Sequence, residues 1–460
     1  MAKPETRGVQ NFSCVAPRRR AITGALPSPR MTLTLSPWWL LLAAVPILWL
    51  GEAVVRRFGV LARFNIPVPV VGGLLCALLV LFLGASGVAA ITWQTKVTAG
   101  WWTWLVTPDP QWLARPAKNL NLPLLVGFFT CIGLLAPVRL LRSGGWALVV
   151  LLGGATVLAA IQNAVGVAVA QAVGAPPLLG VVCGALTLVG GHGTALGFAP
   201  RFEEAGFSAA ATAGAAAATF GLIAGGLLAG PMAEWLLRRR DGAATAGSGT
   251  GGPRGVPAAG VATSFVTELR ALVAHRRVAL THVLIVAGCV KAGAWVSFGL
   301  ERAGATLPAY MGALLVGFAL RALHDVTGGA WLRVAVITRL AAILLALFLA
   351  VTLAAINLAE LAVIAGPMLA ILSVNVAITL AFAGLVVWPL LGRDHEAGVM
   401  VAGLVGFCVG STATAVAAMD AIVRRRGPAP RATTLVPPIG GFLIDLTNAP
   451  VIGAFLALLR

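Results

Sequence analysis

Long runs of apolar residues recur along the chain, and many approach the roughly 20 residues that a helix needs to cross a hydrocarbon core. They lack the weaker alternation typical of outer-membrane barrel strands, so they predict membrane-spanning helices. The ten predicted spans are 35–55, 66–91, 119–137, 146–173, 208–237, 278–300, 307–323, 332–356, 361–391 and 432–459. The pattern therefore predicts an all-α integral membrane protein with about ten transmembrane helices.

Two further apolar segments, 178–200 and 396–420, are interrupted by small residues. The interruptions read GGHGTALG at 190–197 and VGSTATAV at 409–416, and each segment follows the fourth span of its half. A bilayer core offers no water to peptide groups, so broken backbone at that depth is buried in protein or lines a wet cavity. Paired interruptions at corresponding positions are typical of the binding site of a secondary transporter. The segments therefore predict two re-entrant hairpins and an alternating-access carrier.

Positive charge predicts the orientation of these spans. With the loop after the first span in the cytoplasm, most Lys and Arg residues of the loops lie inside, as the positive-inside rule requires. Both ends of the chain then lie outside. An odd number of crossings separates equivalent positions, so the two five-helix units have opposite orientations and form an inverted repeat.

The same pattern divides the chain into segments. The first repeat is expected at 31–237 and the second at 278–460, joined by a cytoplasmic linker at 238–277 that is rich in glycine, serine and alanine. Residues 1–30 are basic and lack an apolar stretch, so they are interpreted as a disordered extension. Met31 is an alternative start of the protein.

Composition excludes most other classes of protein. With 59% hydrophobic residues, 10% charged residues and a mean hydropathy of +0.94, the chain has too little polar surface for a soluble globule. The net charge of +18 is explained by loops on the inner side, so no nucleic-acid partner is predicted. No GxSxG, HExxH or cofactor-binding glycine motif occurs in a supporting context, so neither an enzyme nor a cofactor is predicted.

Several motifs carry a resemblance to a known family. They are GGHGT at 190–194, FEEAG at 202–206, TFGLIAGGLLAGP at 219–231, LPAYMGALLVG at 307–317 and FLIDLTNAPVIGAF at 442–455. In order and spacing they resemble the bacterial sodium/glutamate symporter family, over most of residues 36–460. The resemblance implies inverted five-helix units with two re-entrant loops, and sodium-coupled uptake of L-glutamate across the inner membrane by a homodimer. Ala413 stands where the family usually has a proline.

The interrupted segments supply the candidate substrate-binding residues. Glutamate has two carboxylates and an ammonium group, which need donors and acceptors when removed from water. Flexible backbone and hydroxyl groups at the breaks can supply both. The candidates are Gly191, His192, Gly193, Thr194, Thr412 and Thr414, together with Asn163 in the fourth span. The alternatives are that the small residues only allow helices to approach closely, and that His192 is a neutral, hydrogen-bonded core residue.

Asp445 lies in the final span, where a central aspartate costs roughly 2.5–3.5 kcal/mol and therefore requires a partner. Asn448 lies one turn later on the same face, and Ser411 lies in the second interruption. These three oxygen-bearing side chains are the predicted sodium ligands, with Na⁺ as the coupling ion. The alternative is an ion pair between Asp445 and either Lys291 or Arg339.

Three further polar residues lie within the predicted spans. Gln162, Asn163 and Asn375 are either site residues or partners in hydrogen bonds between helices. Because Ala413 departs from the family pattern, a sodium-coupled carrier of another amino acid or of an organic hydroxycarboxylate is an alternative function. A channel is a more distant one. The tryptophan-rich segment 92–112 is interpreted as an interfacial belt in contact with lipid, or as a lid.

Overall fold

The computed structural model describes residues 31–59, 61, 67–114, 116–136, 144–241, 265–303, 308–328, 331–356 and 358–459. The predicted extension at 1–30 and the central part of the predicted linker, 242–264, lie outside the described residues. The two ends of that linker are helical, since one helix continues to Asp241 and another spans Phe265–Ala274. The second unit therefore begins with a short amphipathic helix before its first span.

Eight helices among the described residues are long and apolar enough to cross a membrane, which confirms the helical membrane class. They are Pro37–Arg57, Val68–Ala85, Gly145–Ala172, Ala210–Arg240, Arg276–Arg302, Val334–Ala354, Leu361–Leu390 and Pro430–Leu458. The predicted spans at 119–137 and 307–323 are also helical. The first of these is only 14 residues long, Leu122–Leu135, and the second, Tyr310–Thr327, carries polar residues in its last two turns.

The helices pack as two groups, which we call the first and second bundles. The first bundle comprises Pro37–Arg57, Val68–Ala85, Leu122–Leu135, Phe265–Ala274, Arg276–Arg302, Tyr310–Thr327 and Val334–Ala354. Its helices approach closely at glycines. A Cβ atom at Gly133 or Gly317 would meet the carbonyl oxygen of Leu314 or Thr130, respectively. Close backbone packing of this kind is typical of membrane helices that associate without a hydrophobic driving force.

The second bundle contains the interrupted segments and the long helices around them. It comprises Gly145–Ala172, Pro177–Val181, Gly191–Glu204, Ala210–Asp241, Leu358–Phe382, Trp388–Leu390, His395–Val409, Thr412–Arg426, Pro430–Pro438 and Ile444–Leu458. Turns of π-helix at Val182–Leu186, Ala383–Val387 and Ile439–Leu443 join successive helical pieces. Such turns insert an extra residue and leave backbone groups displaced from regular helical pairing.

The segment between the second and third predicted spans, which we call the outer segment after its predicted side of the membrane, contains three short strands, and a fourth lies just before the first span. The all-α expectation included none of them. Thr32–Leu35 pairs in parallel with Ala90–Trp93, and Lys96–Val97 pairs antiparallel with Lys118–Asn119. Threonine, tryptophan and β-branched residues in these stretches favour extended backbone. Between the strands lie two short helices, Gly100–Thr103 and Asp109–Ala114, and the 3₁₀ turn Trp104–Val106.

Lys291 holds this outer segment against the first bundle. Its ammonium group donates to the carbonyls of Trp104 and Thr107, at 3.1 and 2.8 Å, and pairs with Asp109 at 2.8 Å. It also lies 4.0 Å from the centre of the Trp104 ring, where a cation is attracted to the π-system. The lysine that the sequence places inside a span is therefore bonded to the outer segment from within helix Arg276–Arg302.

Candidate functional site

The first interrupted segment is a pair of short helices with displaced backbone between them. Helix Pro177–Val181 continues as the π turn Val182–Leu186, in which Gly184 leaves helical geometry at φ −98° and ψ −138°. Gly191, at φ +64°, begins the helix that ends at Glu204. This left-handed conformation is accessible to glycine at little cost, which explains the residue at this position. We call residues 177–204 the first hairpin.

The second interrupted segment has one sharp break. Helix His395–Val409 ends at Gly410, which has φ −127° and ψ −85°, and helix Thr412–Arg426 follows. Ser411 caps the second helix: its hydroxyl accepts from the Thr414 amide at 3.3 Å, and its own amide donates to the Thr414 hydroxyl at 2.9 Å. This reciprocal capping box satisfies the Thr414 amide at the start of the second helix. The Ser411 amide donates in addition to the Gly406 carbonyl at 2.9 Å. We call residues 395–426 the second hairpin.

The two breaks lie next to each other. A Cβ atom at Gly191 would lie 3.8 Å from the Gly410 carbonyl oxygen. Helix Ala210–Asp241 packs against both hairpins through glycines. A Cβ at Gly221 would lie 3.0 Å from Leu188 of the first hairpin, and one at Gly225 would lie 3.1 Å from the Gly410 nitrogen. Broken backbone from both halves of the chain therefore meets at one place.

Asp445 joins this place from the final span. It accepts a hydrogen bond from the Thr194 hydroxyl at 3.2 Å, which connects it to the first hairpin. Both basic residues considered as alternative partners bind elsewhere: Lys291 pairs with Asp109 at 2.8 Å, and Arg339 pairs with Glu268 at 3.5 Å. The alternative of an ion pair within the protein is therefore contradicted for these two residues, and the carboxylate keeps its capacity to bind a cation.

Three asparagines attach to the displaced backbone of the first hairpin. Asn163 accepts from the Ala185 amide at 2.9 Å, Asn448 donates to the Ala185 carbonyl at 3.1 Å, and Asn375 donates to the Cys183 carbonyl at 3.1 Å. They come from three different helices of the second bundle, and all are fully buried. They therefore satisfy backbone groups that the π turn releases, as buried polar groups require.

Each of these asparagines also keeps an amide atom without a hydrogen-bond partner. The unpartnered atoms are the Asn163 nitrogen and the Asn375 and Asn448 oxygens. The side-chain oxygen of Gln162 also lacks a hydrogen-bond partner, while its nitrogen donates to the Thr379 hydroxyl at 2.8 Å and to the Cys408 carbonyl at 3.0 Å. Unpaired polar atoms in a buried region cost roughly 1–3 kcal/mol each, so such a group of atoms is suited to a polar ligand.

The remaining predicted residues differ in what they contact. His192 hydrogen-bonds the Thr219 hydroxyl at 3.0 Å, and that hydroxyl donates to the Ala215 carbonyl. A Cβ at Gly193 would lie 3.4 Å from the Phe129 ring. Thr412 lies beside the final span, 3.7 Å from a Cβ placed at Gly441. His192 is thus hydrogen-bonded within the second bundle, whereas Gly193 faces the first.

Tyr310 is a residue of this region that the sequence did not single out. It is the one tyrosine of the chain, and its ring stacks on Phe129 with centroids 3.8 Å apart and an interplanar angle of 11°. The ring also lies against the first hairpin, since a Cβ at Gly197 would lie 2.6 Å from it, and the hydroxyl is buried without a hydrogen-bond partner among the described residues. The available signal was its occurrence in the motif LPAYMGALLVG, which appeared only as part of the family resemblance.

Ion pairs hold the far ends of the hairpins. Arg201, near the end of the first hairpin, lies 3.5 Å from Glu301 of the first bundle. Arg426, the last residue of the second hairpin, lies 2.8 Å from Glu234 of the second bundle, which also pairs with Arg238 at 3.1 Å. The end of the second hairpin is therefore fastened to its own bundle.

Comparison with known proteins agrees with these features. A family model described as sodium/glutamate symporter matches residues 33–100 and 112–428. The sodium/glutamate symporter of Escherichia coli K12 is 36% identical over 419 residues, which cover 91% of this chain and 96% of that protein. The sodium/glutamate symporter of Haemophilus influenzae is 32% identical over 423 residues, covering 92% and 97%. No solved structure matches the chain. The chain belongs to the sodium/glutamate symporter family.

Proposed function

We propose that this protein takes up L-glutamate together with Na⁺ across the bacterial inner membrane, and that both bind where the two hairpin breaks meet. The observation that carries the proposal is the juxtaposition of Gly191 and Gly410 beside Asp445, a carboxylate bonded to the first hairpin through Thr194. Broken backbone within a membrane bundle is tolerated where it lines a cavity or is buried in protein. Family membership supplies the substrate and the coupling ion.

Glutamate would be held by donors of the first hairpin and its neighbours. The unpartnered Asn163 nitrogen is available for a substrate carboxylate. Gly191 and Gly193, at the start of helix Gly191–Glu204, supply backbone N–H groups that favour an anion. Thr194 and Thr412 add hydroxyls on the two sides of the breaks. His192 and Thr414 contribute chiefly by fixing the local backbone, because their polar atoms are bonded to Thr219 and to the capping box.

Sodium would be held by oxygen atoms around Asp445. Na⁺ is a hard cation that prefers oxygen ligands, and the unpartnered oxygens of Gln162, Asn375 and Asn448 are of that type. Ser411 is proposed as a ligand through its hydroxyl oxygen, which accepts a hydrogen bond from the Thr414 amide at 3.3 Å and keeps a second lone pair. Its backbone carbonyl already accepts from the Thr414 hydroxyl and the Ala415 amide. Inward movement of anionic glutamate opposes the membrane potential, whereas each accompanying Na⁺ gains roughly 2.3 kcal/mol per 100 mV. The coupling ion therefore supplies the driving force.

The two halves of the chain are proposed to form an inverted repeat, 31–237 and 278–460, with re-entrant hairpins at 178–200 and 396–420. Matching glycine contacts support this arrangement. Gly51 approaches Gly72 between the first two helices of one half, and Gly293 approaches Gly312 between the first two helices of the other. Rocking of the second bundle against the first would then expose the site to each side of the membrane in turn.

The exposed apolar surface of the first bundle is proposed to contact lipid and a second copy of the chain. Trp39, Leu42 and Trp49 on helix Pro37–Arg57 are each more than 60% exposed, and Phe82 on the neighbouring helix is 67% exposed. In a membrane such residues face acyl chains or a partner helix. Cysteine cross-linking along this face, read on a denaturing gel, would separate a homodimer from a lipid-facing monomer.

Uptake into proteoliposomes tests the proposed function. Labelled L-glutamate is supplied under a Na⁺ gradient, a K⁺ gradient or a proton gradient alone. Accumulation is expected with Na⁺ only, to saturate with substrate, and to be reduced by unlabelled glutamate. Stronger competition by another amino acid or a hydroxycarboxylate would reassign the substrate. Flux that neither saturates nor depends on Na⁺ would indicate a channel and contradict the proposal.

A further inference from the structure

Ala185 is the residue of the first hairpin to which two different helices of the second bundle attach. Its amide donates to the Asn163 side-chain oxygen at 2.9 Å, and its carbonyl accepts from the Asn448 side-chain nitrogen at 3.1 Å. Asn163 lies in helix Gly145–Ala172, and Asn448 lies in helix Ile444–Leu458. Both backbone groups of one buried residue are therefore held by side-chain amides from distant parts of the chain.

The Ala185 carbonyl also reaches the break of the first hairpin. It accepts a second hydrogen bond, from the Gly190 amide at 3.1 Å. Gly190 directly precedes Gly191, whose left-handed backbone begins the helix proposed to present N–H groups to glutamate. The position of Ala185 therefore bears directly on the position of the proposed substrate donors.

The two asparagines face Ala185 with opposite ends of their amides. Asn163 uses its oxygen and keeps its nitrogen unpartnered, whereas Asn448 uses its nitrogen and keeps its oxygen unpartnered. Both side chains are fully buried. An amide nitrogen is a donor that suits an anion, and an amide oxygen is an acceptor that suits a cation. Ala185 thus lies between one amide that is available to a carboxylate and one that is available to Na⁺.

We propose that Ala185 is a positioning residue that couples the binding of Na⁺ to the binding of glutamate. Na⁺ at the Asn448 oxygen polarises that amide and strengthens its bond to the Ala185 carbonyl, and a carboxylate at the Asn163 nitrogen strengthens the bond from the Ala185 amide. Each ligand fixes the same residue of the π turn, so the second ligand to bind has less ordering left to impose. The inference rests on the proposed function, because it uses the ligands assigned there to the two asparagines.

Asn448→Leu tests the sodium side of this coupling. Calorimetric titration of the purified protein gives the ratio of the glutamate dissociation constants without Na⁺ and at saturating Na⁺, which is typically about 5- to 150-fold for coupled sites. Loss of the hydrogen bond to the Ala185 carbonyl should lower this ratio about 2- to 10-fold. Asn375→Leu is the matched control, since it also removes an unpartnered amide oxygen, but its nitrogen donates to the Cys183 carbonyl instead. The control should raise the half-saturating Na⁺ concentration and keep the wild-type ratio.

Gly184→Ala tests the substrate side without removing a proposed ligand atom. A Cβ at Gly184 would lie 2.7 Å from the Asn163 side-chain oxygen, so it would displace that oxygen from the Ala185 amide. The Asn163 nitrogen is retained, and the ratio of dissociation constants should again fall about 2- to 10-fold. Gly153→Ala is the control, because it lies on the same helix as Asn163, where a Cβ meets no atom within 4 Å. This control should keep the wild-type ratio.

Hydrogen exchange of the wild-type protein tests the same inference without a substitution. The peptide that contains Ala185 should exchange more slowly with saturating Na⁺ alone or with saturating glutamate alone, and most slowly with both. Exchange that neither ligand slows, an unchanged ratio in both Asn448→Leu and Gly184→Ala, or an equal fall in Asn375→Leu would overturn the inference. Wild-type glutamate binding that ignores Na⁺ would instead overturn the proposed function, so the two failures are distinguishable.

Discussion

The two bundles use their glycines in different ways. In the first bundle, glycines such as Gly72 and Gly312 bring straight helices into backbone contact. In the second bundle, Gly184, Gly191 and Gly410 lie where the helices are displaced or broken. The same residue type thus gives close packing in one region and unpaired backbone in the other. The small-residue alternative that the sequence leaves open accounts for the glycines of the first bundle. The second bundle combines close packing, at Gly221 and Gly225, with the backbone breaks.

The buried side-chain amides around the hairpins are also distributed unequally between the two bundles. The amides of Asn163, Asn375 and Asn448 lie in the second bundle around the displaced backbone of the first hairpin, and the Gln162 amide of the same bundle donates to the Cys408 carbonyl of the second hairpin. Tyr310 is the corresponding buried group of the first bundle at the boundary. A unit that binds polar solute has to keep polar atoms available, whereas a supporting unit has to be well packed. This comparison leads to four predictions, ordered by the size of the expected effect.

Asp445→Asn should have the largest effect on transport. The change removes the negative charge that attracts Na⁺ while leaving a side chain of similar size. Interactions with a charged group contribute about 1.5–3 kcal/mol, so the half-saturating Na⁺ concentration should rise about 10- to 100-fold. Glu204→Gln, at the exposed end of the first hairpin, is the control and should behave as the wild type. An unchanged sodium dependence in Asp445→Asn would remove this residue from the site.

Gly72→Val should affect the first bundle alone. A Cβ at Gly72 would meet the Ile47 carbonyl, and overpacking typically costs about 1–3 kcal/mol. The unfolding temperature in detergent should fall, while the folded fraction retains wild-type sodium dependence. Gly84→Val lies on the same helix, where a Cβ meets no atom within 4 Å, and should change the temperature little. Equal unfolding temperatures for the two variants would contradict the packing difference between the bundles.

Asn448→Leu should alter binding in the second bundle by a smaller amount. It removes the bond to the Ala185 carbonyl and the unpartnered oxygen proposed to face Na⁺. Loss of one neutral polar contact of about 1 kcal/mol corresponds to a rise of about fivefold in half-saturating Na⁺. The neighbouring change Thr447→Val is the control, because Thr447 contacts Thr156 instead. If both variants shift sodium dependence equally, the effect comes from packing of the final span.

Asp109→Asn should have the smallest effect, on stability only. The hydrogen bond from Lys291, with a further one from Trp104, lowers the pKa of Asp109 below its ordinary value of 3.8. A lowered pKa means that the ion pair stabilises the folded protein above that ordinary value, and that this stabilisation is lost as the pH falls through the lowered pKa. The wild type should therefore unfold at a slightly higher temperature than the variant at neutral pH, and this difference in unfolding temperature should disappear in acid. A difference that persists unchanged in acid would contradict this.

The sequence predicts the features that depend on local chemistry. Gly190, Gly191, Gly193 and Gly410 predicted where the backbone is interrupted, because glycine adopts backbone conformations that other residues rarely adopt. The apolar runs predicted the helices, and the cost of burying Asp445 identified it as a residue that needs a partner. Each of these predictions uses only residues that are neighbours in the sequence, within one helix or one turn.

Features that depend on packing between distant segments were not predictable. Thr194 and Asp445 are 251 positions apart, so nothing in either stretch indicates their hydrogen bond. The π turn at Val182–Leu186 follows no distinctive local pattern, yet it draws three asparagines to one piece of backbone. Tyr310 lies at a helix start in an otherwise apolar stretch, and only the packing of distant segments places its ring against both Phe129 and Gly197. The short strands of the outer segment likewise required partners beyond local sequence.

The ion pairs at the hairpin ends have unequal mechanical consequences. Arg426 binds Glu234 within one bundle, so that attachment travels with the second hairpin. Arg201 reaches across to Glu301 of the first bundle, so any displacement of the first hairpin relative to that bundle would open this contact. Glu301 is about half exposed and therefore accessible to dissolved salt, which screens such pairs. Dissolved salt would therefore weaken the one ion pair among the described residues that ties a hairpin to the opposite bundle.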